Sequence, residues 1–176
     1  MTTIEIGQTA PPFELPDTEG ATHTLAAGGP ATVVAFTCNH CPYALAWHDR
    51  LLAVARDYAD RGVRMLLVNP NDAQRYPRDS YEAMQARVRA DGGWPAPYLR
   101  DEDQEVARAY GAKTTPDVFV VAPDASVAYR GAPDADHGDP DQNAAWLREA
   151  LDDVLAGRPV RRAETRPVGC SIKWRA

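Results

Sequence analysis

The clearest signal in the chain is a change of hydrophobic period near residue 38. Residues 31–37, ATVVAFT, form a continuous apolar run rich in β-branched side chains, which is typical of a strand buried on both faces. From residue 41 to Gly62 the apolar side chains recur with helical spacing, which predicts a helix with one buried face. A second apolar run, VRMLLVN, follows at residues 63–69. This stretch therefore predicts a strand, a turn, a helix and another strand.

The remaining segments continue the alternation of strands and helices. The other predicted elements are a hairpin at residues 10–25, a helix from Asp79 to about residue 90, a strand at residues 97–101, a helix at residues 105–110, a hairpin at residues 117–131 and a helix from Asp139 to residue 157. This order predicts an α/β domain over residues 1–157, with a mixed central sheet flanked by helices and an N-terminal hairpin extension. Residues 158–176 have neither period, so we expect an irregular tail that packs on the domain or on a partner.

Composition and charge narrow the classes of partner. The chain has 176 residues, of which 44% are hydrophobic, and a net charge of -6 with acidic and basic residues interleaved. No basic stripe is available for nucleic acid or an anionic membrane, and the N-terminal segment does not have the pattern of a secretory leader. We therefore expect a cytoplasmic protein. In that compartment a C-x-x-C pair is catalytic or metal-binding rather than a structural staple.

The candidate chemistry lies where the period changes. Two of the three cysteines, Cys38 and Cys41, enclose Asn39 and His40 at the predicted helix start, and Pro42 suits a first helical turn. Unpaired N–H groups and the macrodipole at a helix N-terminus favour a thiolate. We expect Cys38 to attack, with a pKa below that of a free thiol, and Cys41 to resolve the mixed disulfide. His40 would adjust the reduction potential of the Cys38–Cys41 couple.

A later motif joins the dithiol to a known fold. The order of elements, with C-x-x-C at a helix start and Thr114-Thr115-Pro116 before the last hairpin, resembles the thioredoxin fold over residues 4–157. The leading GQTAPPFELPD and the long insertion after Asn69 are similar to the redoxin branch of the thioredoxin-like superfamily. That branch includes the alkyl hydroperoxide reductase and thiol-specific antioxidant relatives and the TlpA-like proteins.

The resemblance implies a substrate-binding surface beside the dithiol. In thioredoxin-like proteins the proline that matches Pro116 is cis and faces the cysteines. We expect the main chain of Thr115 to be exposed there and to pair with an extended substrate segment. Thr37 and Asn39 complete the predicted substrate-binding set.

The function that the resemblance implies is thiol-disulfide exchange with protein substrates. Its partners would be disulfide-containing proteins on one side and a thioredoxin, a thioredoxin reductase or a similar electron donor on the other. The electrons travel on sulfur, so no organic cofactor and no metal is required.

Departures from the family pattern leave alternatives open. Thr37 stands where thioredoxins carry tryptophan, and the strand before Cys38 has no aspartate to accept a proton from Cys41. A thiol-dependent peroxidase is the runner-up, although Ala35 stands where the peroxiredoxin motif P-x-x-x-T-x-x-C has threonine.

A metal-binding module is a further alternative, and the third cysteine has two interpretations. Cys38, Cys41 and His40, with or without Cys170, offer soft ligands for copper or zinc, but a second C-x-x-C is missing. For Cys170 we favour a small buried hydrophobe under Trp174 over a third redox thiol.

Overall fold

The computed structural model describes residues 2–25 and 29–176. The strands are β1 Phe13–Pro16, β2 Thr22–Leu25, β3 Ala31–Phe36, β4 Val63–Asn69, β5 Tyr98–Arg100, β6 Thr114–Thr115, β7 Asp117–Val121, β8 Val127–Gly131 and β9 Cys170–Ser171. The α-helices are α1 Pro42–Ala59, α2 Tyr81–Ala90, α3 Glu105–Tyr110 and α4 Ala145–Leu155, and a 3-10 turn spans Pro77–Asp79. None of these helices has both the length and the apolar character that a membrane span requires.

The centre of the molecule is a mixed five-stranded sheet in the order β5-β4-β3-β7-β8. Strands β3, β4 and β5 are parallel, and β7 and β8 run antiparallel beside β3. All six residues of β3 are buried, as its continuous apolar run predicts for a strand covered on both faces. The predicted mixed sheet with flanking helices and an N-terminal hairpin is confirmed.

Different elements pack on the two faces of the central sheet. Val33 and Ala35 point into a core shared with α1, α2 and α4. Val34 and Phe36 point into a second core, which is closed by the β1–β2 hairpin, α3 and Ile172 of the C-terminal tail. The alternation along β3 therefore divides one apolar run between two cores. Because β3 is central, its last residue places the following cysteine loop at the middle of the sheet edge.

Two predicted helix starts were wrong by a few residues. Helix α2 is capped by Ser80, whose hydroxyl accepts the Ala83 N–H, while Asp79 is buried in the preceding turn. Helix α4 begins at Ala145 and not at Asp139, and the Ala144 N–H that precedes it donates to the carboxylate of Asp134, ten residues earlier in the same loop. In both places a residue other than the predicted one accepts the N–H group at the start of the helix.

The C-terminal tail is ordered along the domain. Residues 163–165 exchange backbone hydrogen bonds with Arg130 of β8, and β9 then pairs antiparallel with β6. Beyond β9, Ile172 is 3% exposed within the second core, and Trp174 lies under the Arg108 guanidinium at 4.5 Å. The tail thus crosses from the β8 edge to the end of the sheet where the cysteines lie.

A close backbone approach at Gly131 gives a test of this tail path. Gly131 has a φ of +140°, and a Cβ built there would lie 2.5 Å from the Thr165 carbonyl oxygen, whereas Gly20, with φ +83°, faces open space. We expect Gly20→Ala to cost about 1 kcal/mol from strain alone, and Gly131→Ala to cost roughly twice as much or more. Urea denaturation of both variants measures the difference. Equal losses in free energy of unfolding would contradict the tail path.

Candidate functional site

The dithiol loop lies between the end of β3 and the start of α1. Cys38 is two residues beyond Phe36, and Cys41 is the N-cap of α1 with Pro42 as the first helical residue. Cys41 therefore directly precedes the first turn of α1, at the positive end of the helix macrodipole. Both cysteines are free thiols, and each is only 1% exposed.

Thr115 contacts both sulfurs from across the site. The Cys38 Sγ lies 3.3 Å from the Thr115 hydroxyl, and the Cys41 thiol donates to the Thr115 carbonyl oxygen at 3.1 Å. The two cysteines also pack against each other, and each shifts the pKa of the other. The Thr115–Pro116 peptide bond, which follows directly, is cis. The structure thus brings together the two segments that the sequence separates by more than seventy residues.

His40 lies beside Cys38 but is held by a carboxylate. Its Nδ1 is 2.5 Å from Asp79 Oδ2, and its ring stacks on Tyr76. Cys38, His40 and Asp79 each offer one ligand atom, and these three atoms lie within 4.8 Å of one another. The three side chains therefore form one polar cluster under the loop.

Asp79 is fully buried, and a set of amides satisfies its carboxylate. It accepts the Asn39 N–H at 2.7 Å, the Asn69 side-chain amide at 3.1 Å and the Asn71 side-chain amide at 3.0 Å. Charge-assisted bonds of this kind are the stronger class of hydrogen bond in proteins, so Asp79 fixes the backbone between the cysteines.

Asn39 and Thr37, two of the predicted substrate-binding residues, make structural contacts. The Asn39 side chain donates to the Arg78 carbonyl and accepts from Arg87 and the Tyr98 hydroxyl. Thr37 is 2% exposed, and its N–H donates to the Val68 carbonyl. Their contacts hold the loop on the sheet, and their role toward a substrate stays a prediction.

The acidity of the two cysteines is opposite to the expected order. The pKa of Cys38 is raised by its hydrogen bond with Cys41, by burial and by the nearby Asp79 carboxylate. The pKa of Cys41 is lowered to about 4, chiefly because the Cys38 thiol donates to its sulfur, with a further hydrogen bond from Cys170. The expectation of an acidic Cys38 thiol was wrong for this conformation, because it counted the helix N-terminus but not the hydrogen bond with Cys41, the burial of the thiol or the nearby Asp79.

The main-chain edge of Thr115, where we expected a substrate segment to pair, is occupied by the C-terminal tail of the same chain. Strand β9 pairs with β6 so that Cys170 lies opposite Thr115 and Ser171 opposite Thr114. Thr115 is 1% exposed, so the expectation of an exposed main chain was wrong. The reason is that the two-residue strand of the tail takes the place that we assigned to a substrate.

Cys170 also lies in a different place from the one we favoured. It is half-buried and packs against the cluster formed by Cys38, Cys41 and Ala44. Trp174 instead packs against the second core and contacts Arg108 on α3. The three cysteines of the chain thus meet in one site.

Sequence reasoning missed the polar support beneath the loop. Asp79 was interpreted as a helix cap, Asn69 as the last residue of a buried strand and Asn71 as a loop residue. A usable signal was present in the sequence. Asn69 ends β4 and Asn71 follows it, and β4 is parallel to the strand that leads into the C-x-x-C loop. The end of β4 and the end of β3 lie side by side in such a sheet.

Comparison with known proteins places this geometry in a family. The model of the AhpC/TSA family matches residues 6–130. The chain belongs to the AhpC/TSA family. This confirms the resemblance to the redoxin branch, and the comparison with curated proteins gave no match.

Solved structures similar to this AhpC/TSA protein include two of high identity. A hypothetical protein from Sinorhizobium meliloti 1021 is 40% identical with a TM-score of 0.92, over 99% of this chain and 97% of that one. An uncharacterized conserved protein from Geobacillus kaustophilus is 40% identical with a TM-score of 0.91, over 97% and 93%. Peroxidoxin BcpB from Mycobacterium tuberculosis, 19% identical over 88% and 99% with a TM-score of 0.67, shares the fold.

Removal of the Asp79 charge tests its effect on Cys38. In a Cys41→Ser, Cys170→Ser background only Cys38 titrates, and we expect Asp79→Asn to lower its pKa by about one unit because a nearby negative charge is lost. Thiolate absorbance at 240 nm against pH measures this shift. Glu82→Gln, an exposed acid in the same segment, is the matched control and should leave the pKa of Cys38 unchanged. An equal shift in both variants, or none in either, would contradict the role of Asp79.

Proposed function

We propose that this AhpC/TSA protein is a thiol-disulfide oxidoreductase whose working group is the Cys38–Cys41 dithiol. The observation that carries the proposal is that two free, buried thiols pack against each other at a helix start, with both sulfurs in contact with Thr115. Such a pair can close into a small disulfide ring and reopen without rearrangement of the surrounding fold.

After it loses one proton, the dithiol keeps one more, which can lie on either the Cys38 or the Cys41 sulfur, and this gives two protonation states. In the first, Cys41 is the thiolate and the Cys38 thiol donates to it. In the second, the proton has moved along that hydrogen bond, and the Cys41 thiol donates to the Thr115 carbonyl at 3.1 Å. The Cys38 thiolate is then stabilised by the Thr115 hydroxyl at 3.3 Å and by the His40 backbone N–H. Proton transfer between the sulfurs therefore activates Cys38 without an additional base.

The reaction moves two electrons from the dithiol to a substrate disulfide. The Cys38 thiolate attacks one substrate sulfur, which forms a mixed disulfide and releases the other substrate sulfur as a thiolate. Deprotonated Cys41 then attacks Cys38 Sγ and releases the second substrate thiolate. The protein gains the Cys38–Cys41 bond and loses two thiol protons, and the substrate gains two electrons and two protons.

The partners follow from the same chemistry. Disulfide-bearing proteins supply the oxidant, and a thioredoxin, a thioredoxin reductase or a similar dithiol donor restores the reduced pair in a reducing compartment such as the cytoplasm. Because both sulfurs are buried and β9 fills the Thr115 edge, a protein disulfide reaches Cys38 only after the tail leaves that edge.

A redox titration tests the dithiol directly. We expect the Cys170→Ser variant, equilibrated in glutathione or dithiothreitol buffers and quenched by alkylation, to form a reversible Cys38–Cys41 disulfide. Its midpoint should lie between about -270 and -120 mV, the range of dithiol oxidoreductases. Peptide mapping identifies the linked residues, and the Cys41→Ser, Cys170→Ser protein is the control. If no Cys38–Cys41 bond forms across that range, the proposed function fails. A far faster oxidation by hydroperoxide than by protein disulfides would move the function to the peroxidase alternative.

Metal binding is the second candidate, and it rests on the Cys38–His40–Asp79 cluster. Under the oxidoreductase proposal we expect reduced protein titrated with Co²⁺ to show no thiolate-to-metal absorption band, because Asp79 already occupies the His40 Nδ1 at 2.5 Å. A band that appears with one equivalent of Co²⁺ and disappears in Asp79→Asn would favour a metal site over dithiol chemistry.

A further inference from the structure

We propose that Cys170 is a third redox thiol of this site, which forms a disulfide with Cys41 and thereby fixes the C-terminal tail over the Thr115 edge. The inference rests on the proposed dithiol function and extends it to the tail. In the described part of the chain, β9 is the segment that lies against both the dithiol and the strand beside it.

The register of the tail places Cys170 at Cys41. Cys170 is opposite Thr115 in the β6–β9 pair, and the Thr115 carbonyl oxygen is itself 3.1 Å from the Cys41 sulfur. Cys170 packs against the cluster that contains Cys41, and its side chain and backbone N–H lower the pKa of the Cys41 thiol. A disulfide between the two cysteines requires that their sulfurs approach to about 2.05 Å. Cys41 therefore has a sulfur partner on each side.

Independent contacts on the far side of β9 hold this register. The Lys173 N–H donates to the Asn71 side chain, and the Lys173 carbonyl accepts from the Asp72 N–H and the Gln104 side chain. Ile172 is buried in the core, and its N–H donates to the Lys113 carbonyl. A cysteine in a freely moving tail would sample many positions, whereas Cys170 is anchored within three residues of a buried side chain.

The tail is also connected to the acid beneath the loop. Asn71 donates to Asp79 through its side-chain nitrogen and accepts the Lys173 N–H through its side-chain oxygen. One amide therefore fixes the tail relative to the carboxylate that positions the cysteine loop. This arrangement sets the distance between Cys170 and the dithiol through a rigid, buried network.

The exchange step balances without an outside oxidant. In the oxidised dithiol, the Cys170 thiolate attacks Cys41 Sγ, the Cys41–Cys170 bond forms, the Cys38–Cys41 bond breaks, and Cys38 leaves as a thiolate. The proton of Cys170 passes to Cys38 or to solvent, and the number of disulfides is unchanged. The pKa of Cys170 is raised to about 11 by burial and by the adjacent Cys41 sulfur, and the part due to the charge of Cys41 vanishes once Cys41 is oxidised.

Two disulfide isomers of the oxidised protein follow from this step. One isomer has the Cys38–Cys41 bond and a tail held by hydrogen bonds and packing alone. The other isomer has a free Cys38 and a tail tied covalently across the edge where a substrate strand would pair. Reduction of Cys41–Cys170 through the half-exposed Cys170 returns all three thiols.

Paired cysteine variants separate the two disulfides. We expect Cys38→Ser, oxidised with the disulfide of dithiothreitol or glutathione, to lose both remaining alkylation sites and to yield a Cys41–Cys170 peptide on mapping. The matched control Cys41→Ser should keep Cys38 and Cys170 as thiols, because the sulfur that acts on the Cys170 thiol is that of Cys41. Oxidised wild-type protein should contain both isomers, recognised by a free Cys170 or a free Cys38.

A glycine beside Cys170 tests the docked geometry without a change at any sulfur. A Cβ at Gly169 would lie 2.3 Å from the Thr115 carbonyl oxygen, so we expect Gly169→Ala to displace β9 and to lower the Cys41–Cys170 fraction several-fold. Gly138→Ala, in an exposed loop with an ordinary 3.4 Å contact, is the control and should leave that fraction unchanged.

The outcomes distinguish this inference from the proposed function. A folded Cys38→Ser protein that keeps two free thiols under conditions that oxidise Cys170→Ser overturns the role of Cys170 and leaves the dithiol function standing. If Cys170→Ser stays reduced while Cys38→Ser forms its disulfide, the Cys38–Cys41 function fails and the Cys41–Cys170 couple remains. If wild-type protein and both variants stay reduced, both proposals fall.

Discussion

Thr115 is the residue on which the arrangement of the site depends. Its hydroxyl contacts Cys38, its carbonyl oxygen accepts from Cys41, and its main chain pairs with Cys170. One short segment between α3 and β7 therefore positions all three sulfurs of the protein relative to one another. A displacement of this segment would change the contacts of both dithiol sulfurs and of the tail together.

Burial strengthens the hydrogen bonds of the site, and it also raises the free-energy cost of ionising a thiol there. In a site nearly closed to water, a thiolate forms only if the surrounding donors replace its hydration. The mutual hydrogen bond of Cys38 and Cys41 meets this need for one negative charge, and the Asp79 carboxylate opposes a second charge close to Cys38. The dithiol thus titrates as a pair, and its behaviour belongs to neither cysteine alone.

The sequence was informative wherever a signal extended over many residues. The switch from the apolar run of β3 to the helical period of α1 located the dithiol loop, and the order of strands and helices predicted the mixed sheet. Asp79 was misread because its neighbours spell a helix cap, and only the folded chain brings it under Cys38. Strand β9 was missed because two residues are too few to show a period, and its partner β6 is equally short. The direction of the Cys38 pKa shift was missed because it depends mainly on the contact with Cys41 and on burial, which the C-x-x-C spacing alone does not show.

The β6–β9 pair involves only two residues of each strand, yet its occupant is part of the same chain. A tethered segment competes at an effective concentration that reaches the millimolar range for short linkers, without any loss of translational freedom on rebinding. A free peptide with millimolar affinity would therefore seldom replace it. Under the proposed function, a partner would displace the tail from this edge only if its contacts extended beyond the two paired residues.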